Sequence, residues 1–323
     1  MYEHLTCFIS NYNVKIPLLK TKIKKGNKYM FIRKKGLLYN AKPNKPDAVM
    51  ARRLQELLGG QWGEMTGMTG MTSYLFQAWN SVGHDDYKDL LLDTGTEEIG
   101  HIEMIATMIA HLLEDAPMNV QENIYNSADP ALGAVMGGMD PNHAIVNGLG
   151  SNLNNPNGVP WTAAYMNSSG NLVADMRYNL TRESMGRLQV TRLYHMTEDK
   201  GIRDMLSYLM ARETQHQMQF AQAVEELEEK YGPVVPHDTD ELQNTEFAHT
   251  LYNFSEGEDS KAVVDGKTAK DGIPFKYSSE PHQTGGDQVV PAGPEEVRNT
   301  HGQDVVKEGQ KIIQQMSKKD LNQ

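Results

Sequence analysis

Glu213-Thr214-Gln215-His216, inside the segment Met205–Phe220, is the stretch that decides the fold. Apolar residues recur around it at steps of three and four, the spacing that places side chains on one face of a helix. That face comprises Leu206, Leu209, Met210, Glu213, His216, Phe220, Val224 and Leu227. A carboxylate and an imidazole therefore occupy positions where core residues are expected. An ionised carboxylate in a core is strongly disfavoured unless it is paired or binds a metal.

A second segment, residues 87–113, repeats this arrangement. Its apolar face carries Leu91, Thr94, Glu98, His101, Ile105, Met108 and Leu112, so Glu98 and His101 again form Glu-x-x-His. In ferritin-like carboxylate bundles, two helices each supply Glu-x-x-His and two more each supply a Glu to a dinuclear metal site. The sequence therefore predicts such a site, provided that two further helices each carry a Glu.

Two further helical faces each contain one Glu. Glu64 shares a face with Leu54, Leu57, Gln61, Met68, Met71 and Leu75, and Glu183 shares one with Leu172, Met176, Leu180, Arg187, Val190 and Tyr194. A third Glu-x-x-His, Glu246 to His249, has no apolar helical face around it, and we interpret it as unrelated. The alternative is a metal-free core of hydrogen-bonded Glu and His, in which several desolvated charges must neutralise one another at a cost in stability.

Composition limits the classes of partner. The 323 residues carry a net charge of −11, which argues against a nucleic-acid or anionic-membrane partner. The single cysteine, Cys7, excludes an intrachain disulfide framework and favours the cytoplasm. The sequence contains no run of 18 apolar residues, so we expect no membrane span.

The order of the segments predicts an all-α, ferritin-like four-helix bundle. We expect one helix from Asp47 to about Asn80, a second ending near Glu114, a third over Asn171–Met196 and a fourth ending at Tyr231. The long segment 115–170 would cross over between helices two and three, with a short helix near Pro130–Met136. A short connection predicts that helices three and four are antiparallel neighbours.

Three regions follow from this order. Residues 1–29 are Lys-rich and read as a disordered extension, with Met30 as an alternative first residue. Residues 30–232 form the bundle domain. Residues 233–323 form an extended, largely irregular C-terminal tail that either wraps neighbouring subunits or is partly disordered, with a charged helix near Glu295–Lys318.

The chain resembles the manganese catalases, the non-haem dinuclear catalase family, over roughly Met30 to Phe275. The strings that carry the resemblance are Gly60-Gln-Trp-Gly-Glu64, Asp93–Met104, Gly170–Arg177, Arg182-Glu183-Ser184 and Ala211–His216. The resemblance implies two manganese ions per subunit, hydrogen peroxide as the substrate, a role in oxidative stress and a homohexamer of four-helix-bundle subunits.

The resemblance also implies roles for individual residues. Metal-ligand positions of the family match Glu64, Glu98, His101, Glu183 and His216. The outer carboxylate, its charge partner and a residue of the substrate channel match Glu213, Arg182 and Tyr74. A calcium site of some members maps onto Asp89, Asp93, Asn253, Ser255 and Gly257, which would tie the tail to helix two.

One departure from the family lies between Glu64 and Tyr74. The family places the tyrosine seven residues after the first ligand Glu, whereas here an apparent Thr-Gly-Met duplication, residues 66–71, makes the interval longer by three. Three extra helical residues rotate the face by about 60°. Either a bulge or overwinding absorbs the insertion, or one side of the site is displaced.

The residues predict redox chemistry with proton transfer. Carboxylate and imidazole ligands suit manganese and non-haem iron, and a metal pair held by bridging carboxylates can exchange two electrons. Glu213 is the expected general acid and base, oriented and kept ionised by Arg182; the alternative is that Glu213 only supports a ligand by hydrogen bonding.

Two other functions remain open at this point. One is a di-iron oxidase or ferroxidase on the same bundle, because the scaffold does not select the metal. The other is a non-enzymatic, spore-coat-type structural protein, which the Lys-rich head and polar tail would suit and which would change the location from the cytoplasm to the coat.

Overall fold

The computed structural model describes residues 39–60, 67–114, 146–237, 239 and 242–279. Its helices are α1 Ala48–Leu54, α2 Glu56–Gly59, α3 Gly67–Asn80, α4 Asp85–Leu113, α5 Leu172–His195, α6 Lys200–Tyr231 and α7 Lys261–Val264. Predictions for residues 1–29, Met30, Glu64, Pro130–Met136 and Glu295–Lys318 lie outside the described residues. The ends of α4, α5 and α6 agree with the predicted ends to within one or two residues.

Side chains that the sequence places at helix ends define where the long helices begin. Asp47 accepts from the amide of Met50 at the start of α1, and Asn171 accepts from Ala174 at the start of α5. Asp199 accepts from the amides of Gly201 and Ile202 at the start of α6. Each cap satisfies backbone donors that have no partner within the helix.

Gly232 ends α6 with a positive φ of 91°. This backbone conformation is accessible to glycine because it has no Cβ. The predicted stop at Tyr231-Gly232-Pro233 is therefore confirmed.

The long helices pack in pairs, α3 against α4 and α5 against α6. Contacts between α5 and α6 run in opposite directions along the two helices. Arg177 pairs with Glu228, and Arg187 donates to Thr214, with distances of 2.6 and 3.1 Å. The predicted antiparallel arrangement of these two helices is confirmed, and the mostly helical bundle agrees with the predicted fold class.

The first predicted helix is not continuous, and this part of the prediction is wrong. Gln55 keeps helical dihedral angles between α1 and α2, but Gly60 is extended, with φ −61° and ψ 145°. The next described helical segment, α3, has a different buried face. The buried residues of α3 are Thr69, Gly70, Ser73, Tyr74, Gln77 and Ala78, whereas Met68, Met71 and Leu75 of the predicted face are only partly buried.

The interruption at Gly60 separates the orientation of α3 from that of the two preceding helices. How the Thr-Gly-Met insertion places Tyr74 relative to Glu64 stays a prediction, because Glu64 lies outside the described residues. A continuous helix would carry every later residue around its axis by a fixed angle, about 100° per residue. Because the chain is extended at Gly60, the orientation of α3 does not depend on the phase of α1 and α2. Tyr74 lies on the core face of α3 and is fully buried.

The buried apolar residues form two clusters. One includes Met104 of α4, Val190 of α5 and Leu209 of α6. The other includes Leu91 of α4, Met176 of α5 and Phe220 of α6. On each of the three helices, the predicted Glu and His positions lie between these two clusters. The helical pattern therefore places the polar residues in the middle of an otherwise apolar bundle.

The described part of the crossover, residues 146–170, contains one 3-10 turn, Ala163–Tyr165, and contacts the first helical region. The indole of Trp161 donates to Thr69, and the amide of Asn167 donates to Ser73. The side chain of Gln55 donates to the carbonyl of Asn152 at 2.8 Å. These contacts satisfy polar groups of α3 and of the α1–α2 region that would otherwise be buried without partners.

The described tail residues, 242–279, contain a two-stranded parallel sheet of β1 Thr250–Tyr252 and β2 Lys276–Ser278. Lys270 contacts Glu228 of α6 at 2.6 Å, so this part of the tail lies against the bundle of its own chain. Whether the tail also wraps a neighbouring subunit stays a prediction. Among the described helices, none combines the length and apolar character that a membrane span requires.

Gly59 lies directly against the crossover, and its replacement should destabilise the protein. A Cβ at this position would lie 2.8 Å from the backbone N and C atoms of Asn154. Although Ala is favoured over Gly in a helix by up to about 1 kcal/mol, a backbone contact of this kind is not easily relieved. We expect Gly59→Ala to lower the free energy of unfolding by about 1–3 kcal/mol, measured by chemical denaturation. A stabilised variant would contradict the close approach.

Candidate metal centre

Three helices bring the predicted site residues together. Helix α4 supplies Glu98 and His101, α5 supplies Glu183, and α6 supplies Glu213 and His216. Four of the five are buried, and Glu213 is partly buried. One ligand atom from each of Glu98, Glu183, Glu213 and His216 lies within 4.8 Å of the others.

Glu98 lies between the two imidazoles. Its Oε2 is 3.3 Å from Nδ1 of His101, and its Oε1 is 3.2 Å from Nδ1 of His216. Oε2 of Glu183 is 3.3 Å from the same Nδ1 of His216. One carboxylate that faces two imidazoles with different oxygens has the arrangement expected of a bridging ligand.

The ring nitrogens provide a test of whether these residues fit a metal. Within the described part of the chain, the Nδ1 and Nε2 atoms of His101 and His216 are buried without a hydrogen bond of good geometry. Buried polar atoms normally have partners, and exceptions require an explanation such as an ion. Carboxylate oxygens and imidazole nitrogens are also ligands that manganese accepts. The residues present therefore fit a metal site.

Opposite charges within the cluster shift the pKa values of its carboxyl and imidazole groups. Burial raises the pKa of Glu98, but His101 and His216 outweigh burial and hold it far below its ordinary value. Burial lowers the pKa of His101, but Glu98 and Glu97 together outweigh burial and raise it to about 9. Opposite charges at close range favour the charged form of each partner. The protein groups alone thus form a cluster of paired charges. Metal cations can take the place of the protons that give the imidazoles their positive charge.

Glu213 behaves differently from the other two carboxyl groups. Burial, followed by the charge of Glu183, raises the pKa of Glu213 well above its ordinary value. This shift favours the protonated form of Glu213 when only the protein groups surround it, whereas the sequence analysis expects the ionised form. A carboxyl group whose pKa is raised from its ordinary value toward the operating pH is better suited to proton transfer.

Tyr74 and Arg182 lie beside Glu183. The hydroxyl of Tyr74 donates to Oε1 of Glu183, and the Arg182 guanidinium carbon lies 4.7 Å from the centre of the Tyr74 ring. Burial is the largest cause that raises the pKa of Tyr74 well above its ordinary value, so the phenol keeps its proton. Tyr74 therefore contacts a predicted metal ligand directly, in addition to any role in a channel.

Glu97 is part of the site, although the sequence analysis did not single it out. Its carboxylate lies 3.4 Å from Nε2 of both His101 and His216, and Arg212 donates to it from two nitrogens. The spacing in the sequence could have identified Glu97, because it precedes His101 by four residues and side chains at that spacing meet on a helix. The adjacent residue, Glu98, is the one predicted as a metal ligand because it lies on the apolar face.

The roles of Glu64 as a metal ligand and of the candidate calcium ligands stay predictions. Glu64 lies outside the described residues. In the candidate calcium site, Asn253 accepts from both the amide and the hydroxyl of Ser255, which also donates to the carbonyl of Gly257. Asp89 and Asp93 are exposed on α4.

The interpretation of Glu246 to His249 as unrelated agrees with the structure, because this segment forms a turn and His249 contacts Asp271 at 2.6 Å.

A carboxylate and imidazole cluster in the middle of a helical bundle defines the class of this protein as a helical-bundle metalloprotein. The sequence model described as manganese containing catalase matches residues 30–312. The chain is 57% identical to the manganese catalase of Lactiplantibacillus plantarum over 273 residues, which cover 84% of this chain and 100% of the relative. It is 51% identical to a manganese catalase of Bacillus subtilis, with 98% of that relative covered.

A solved structure shows the same fold. It is KatB, a manganese catalase from Anabaena PCC7120, with a TM-score of 0.60, 24% identity, and coverage of 78% of this chain and all of that chain. With the matches above, this chain belongs to the manganese-containing catalase family. The resemblance stated from the sequence is therefore confirmed.

Proposed function

We propose that this protein disproportionates hydrogen peroxide to water and dioxygen with two manganese ions in each subunit. The observation that carries the proposal is the convergence of Glu98, Glu183, Glu213 and His216 in the bundle of a manganese-containing catalase family member. Relatives at 50–57% identity that bear the name manganese catalase support the activity. The oxidase and structural-protein alternatives are not favoured by these relatives.

Five residues would hold the metal ions. Glu98, whose two oxygens face different imidazoles, would hold them together with His101, Glu183 and His216, which complete the described part of the set. Glu64 would supply a further carboxylate, as the family resemblance implies. When bound, the manganese pair would supply two electrons to one peroxide molecule and recover two from the next, alternating between Mn(II)2 and Mn(III)2.

Proton balance assigns a task to Glu213. Reduction of one peroxide to two water molecules consumes two protons, and oxidation of a second peroxide to dioxygen releases two. A group next to the substrate that accepts and returns protons allows both half-reactions to proceed. Glu213 is the described carboxyl group in the cluster whose pKa is raised, and we assign it this role. Tyr74 would hold Glu183 in place, and Arg182 would balance the charge of the carboxylates around it.

Metal analysis combined with an oxygen electrode tests the proposal. The protein is purified from manganese-replete and from iron-replete cells, and each preparation is given hydrogen peroxide. We expect two manganese ions per subunit and dioxygen release at half the rate of peroxide loss. Activity only with iron would support the oxidase alternative. Full metal occupancy without dioxygen would support a structural protein.

The assembly, the calcium site and the location are further parts of this proposal. We assign a homohexamer in the cytoplasm that protects against oxidative stress, with calcium held by Asp89, Asp93 and the Asn253–Gly257 loop. The described tail supports an assembly because Phe254 is 84% exposed and Phe247 and Phe275 are also exposed. Light scattering in the presence and absence of a calcium chelator measures both the subunit number and the dependence on calcium.

Removal of residues 1–29 should leave the activity intact. The family match begins at residue 30, and every described site residue lies beyond that position. We expect the truncated protein to retain the manganese content and the turnover number of the full chain. Elemental analysis and oxygen release measure both quantities, and an inactive truncated protein with normal solubility would contradict this assignment.

A further inference from the structure

Glu97 and Glu98 are neighbours in the sequence but lie on opposite sides of the same two imidazoles. Glu98 faces the Nδ1 atoms of His101 and His216, at 3.3 and 3.2 Å. Glu97 faces the Nε2 atoms of the same rings, with Oε1 3.4 Å from His101 and Oε2 3.4 Å from His216. Each ring is thus placed between two carboxylates, one on the metal side and one on the outer side.

A salt bridge holds Glu97 in this position. Nε of Arg212 donates to Oε1 of Glu97 at 2.5 Å, and Nη2 donates to Oε2 at 3.1 Å. A two-point pair between guanidinium and carboxylate fixes the orientation of both groups. The two oxygens of Glu97 are therefore directed at two different rings, and the outer position of Glu97 leaves it available when Glu98 binds metal.

We propose that Glu97, anchored by Arg212, is a shared positioning residue that sets the tautomer of both metal-binding histidines. An imidazole that binds a cation through Nδ1 carries its proton on Nε2, and the partner of that N–H decides the tautomer and the ring orientation. One carboxylate lies 3.4 Å from the Nε2 atoms of both rings and would accept from both N–H groups, so loss of Glu97 affects both metal positions together. This inference rests on the proposed function, because it assigns the ligand atoms of His101 and His216.

A purely structural role for Glu97 makes a different prediction. If Glu97 only pairs with Arg212, the contribution is that of a partly exposed salt bridge, about 0–1 kcal/mol of stability, and metal affinity is unchanged. A positioning role changes metal affinity, because outer partners of metal-binding histidines affect affinity by about 10–100-fold. Manganese affinity is therefore the measurement that separates the two roles.

The Glu97→Gln variant tests the shared role. An amide has a single acceptor oxygen, so it accepts from one ring and presents an N–H to the other. We expect the affinity of the full-length protein for Mn(II) to fall by about 10–100-fold in a chelator competition. We also expect the electron paramagnetic resonance spectrum at limiting Mn(II) to show more uncoupled, single-ion signal than the parent protein. Glu97→Asp, which keeps two acceptors, should recover part of the loss.

The control is Glu225→Gln, the same chemical change at an exposed position of α6. It should bind Mn(II) like the parent protein. If the parent protein binds manganese and releases dioxygen while Glu97→Gln binds manganese equally tightly, the positioning role is wrong and the proposed function stands. If the parent protein binds no manganese, both are wrong. Should Glu97→Gln not fold, Arg212→Gln removes the anchor instead, and an unchanged affinity there overturns the role.

Discussion

Replacement of His216 by Ala is expected to remove at least one manganese ion and nearly all catalase activity. His216 is 1% exposed, and its Nδ1 lies within 3.3 Å of oxygens of both Glu98 and Glu183. The change removes a ligand and also takes one close cationic partner from each of two buried carboxylates, which is costly. Elemental analysis of the purified variant measures the metal content, and oxygen release measures the activity.

The matched control for this variant is His249→Ala. His249 also ends a Glu-x-x-His sequence, but it lies in a turn outside the bundle and contacts Asp271. We expect this control to keep the full metal content and activity. Two bound manganese ions with normal turnover in His216→Ala would contradict the assignment of His216 as a ligand.

Replacement of Glu213 by Gln should keep the metal ions but slow turnover by about 10²–10⁴-fold. The amide resembles the protonated carboxyl group in shape, yet it cannot accept and return a proton. Its neutral side chain also resembles the uncharged form that the raised pKa of Glu213 favours, so the bundle should fold normally. The turnover number at saturating peroxide, expressed per bound manganese, is the quantity to compare.

Glu225→Gln on the same helix serves as the control here as well, since its side chain is exposed. Its turnover should equal that of the parent protein. Loss of metal from Glu213→Gln would identify Glu213 as a ligand, consistent with its position in the cluster, and an unchanged rate with full metal would exclude the proton-transfer role.

The site was predictable wherever a polar residue interrupts an apolar helical face. Glu98, His101, Glu183 and His216 are all buried, as expected for residues that share a face with Leu, Ile and Met. The buried face predicted for the third helix, α5, is wrong at one position: Arg187 is exposed, and Gly186 is buried instead. The error did not affect Glu183, since both versions of the face contain it.

Glu97 and Tyr74 show what the periodicity did not reveal. Glu97 lies at the edge of the apolar face, so its two contacts depend on His101 of its own helix and on His216 and Arg212 of another. The hydroxyl of Tyr74 meets Glu183, which lies on another helix. Neither kind of information is contained in the spacing of apolar residues.

Sequence alone determined the helical bundle, the ends of its long helices and four buried acidic and imidazole residues, because apolar periodicity and capping residues act over a few neighbouring positions. Tertiary structure alone decided which atoms meet: both oxygens of Glu98 on two rings, Glu97 behind them, and Tyr74 on Glu183. Those contacts join residues from different helices, and their geometry follows from how whole helices pack rather than from any local segment.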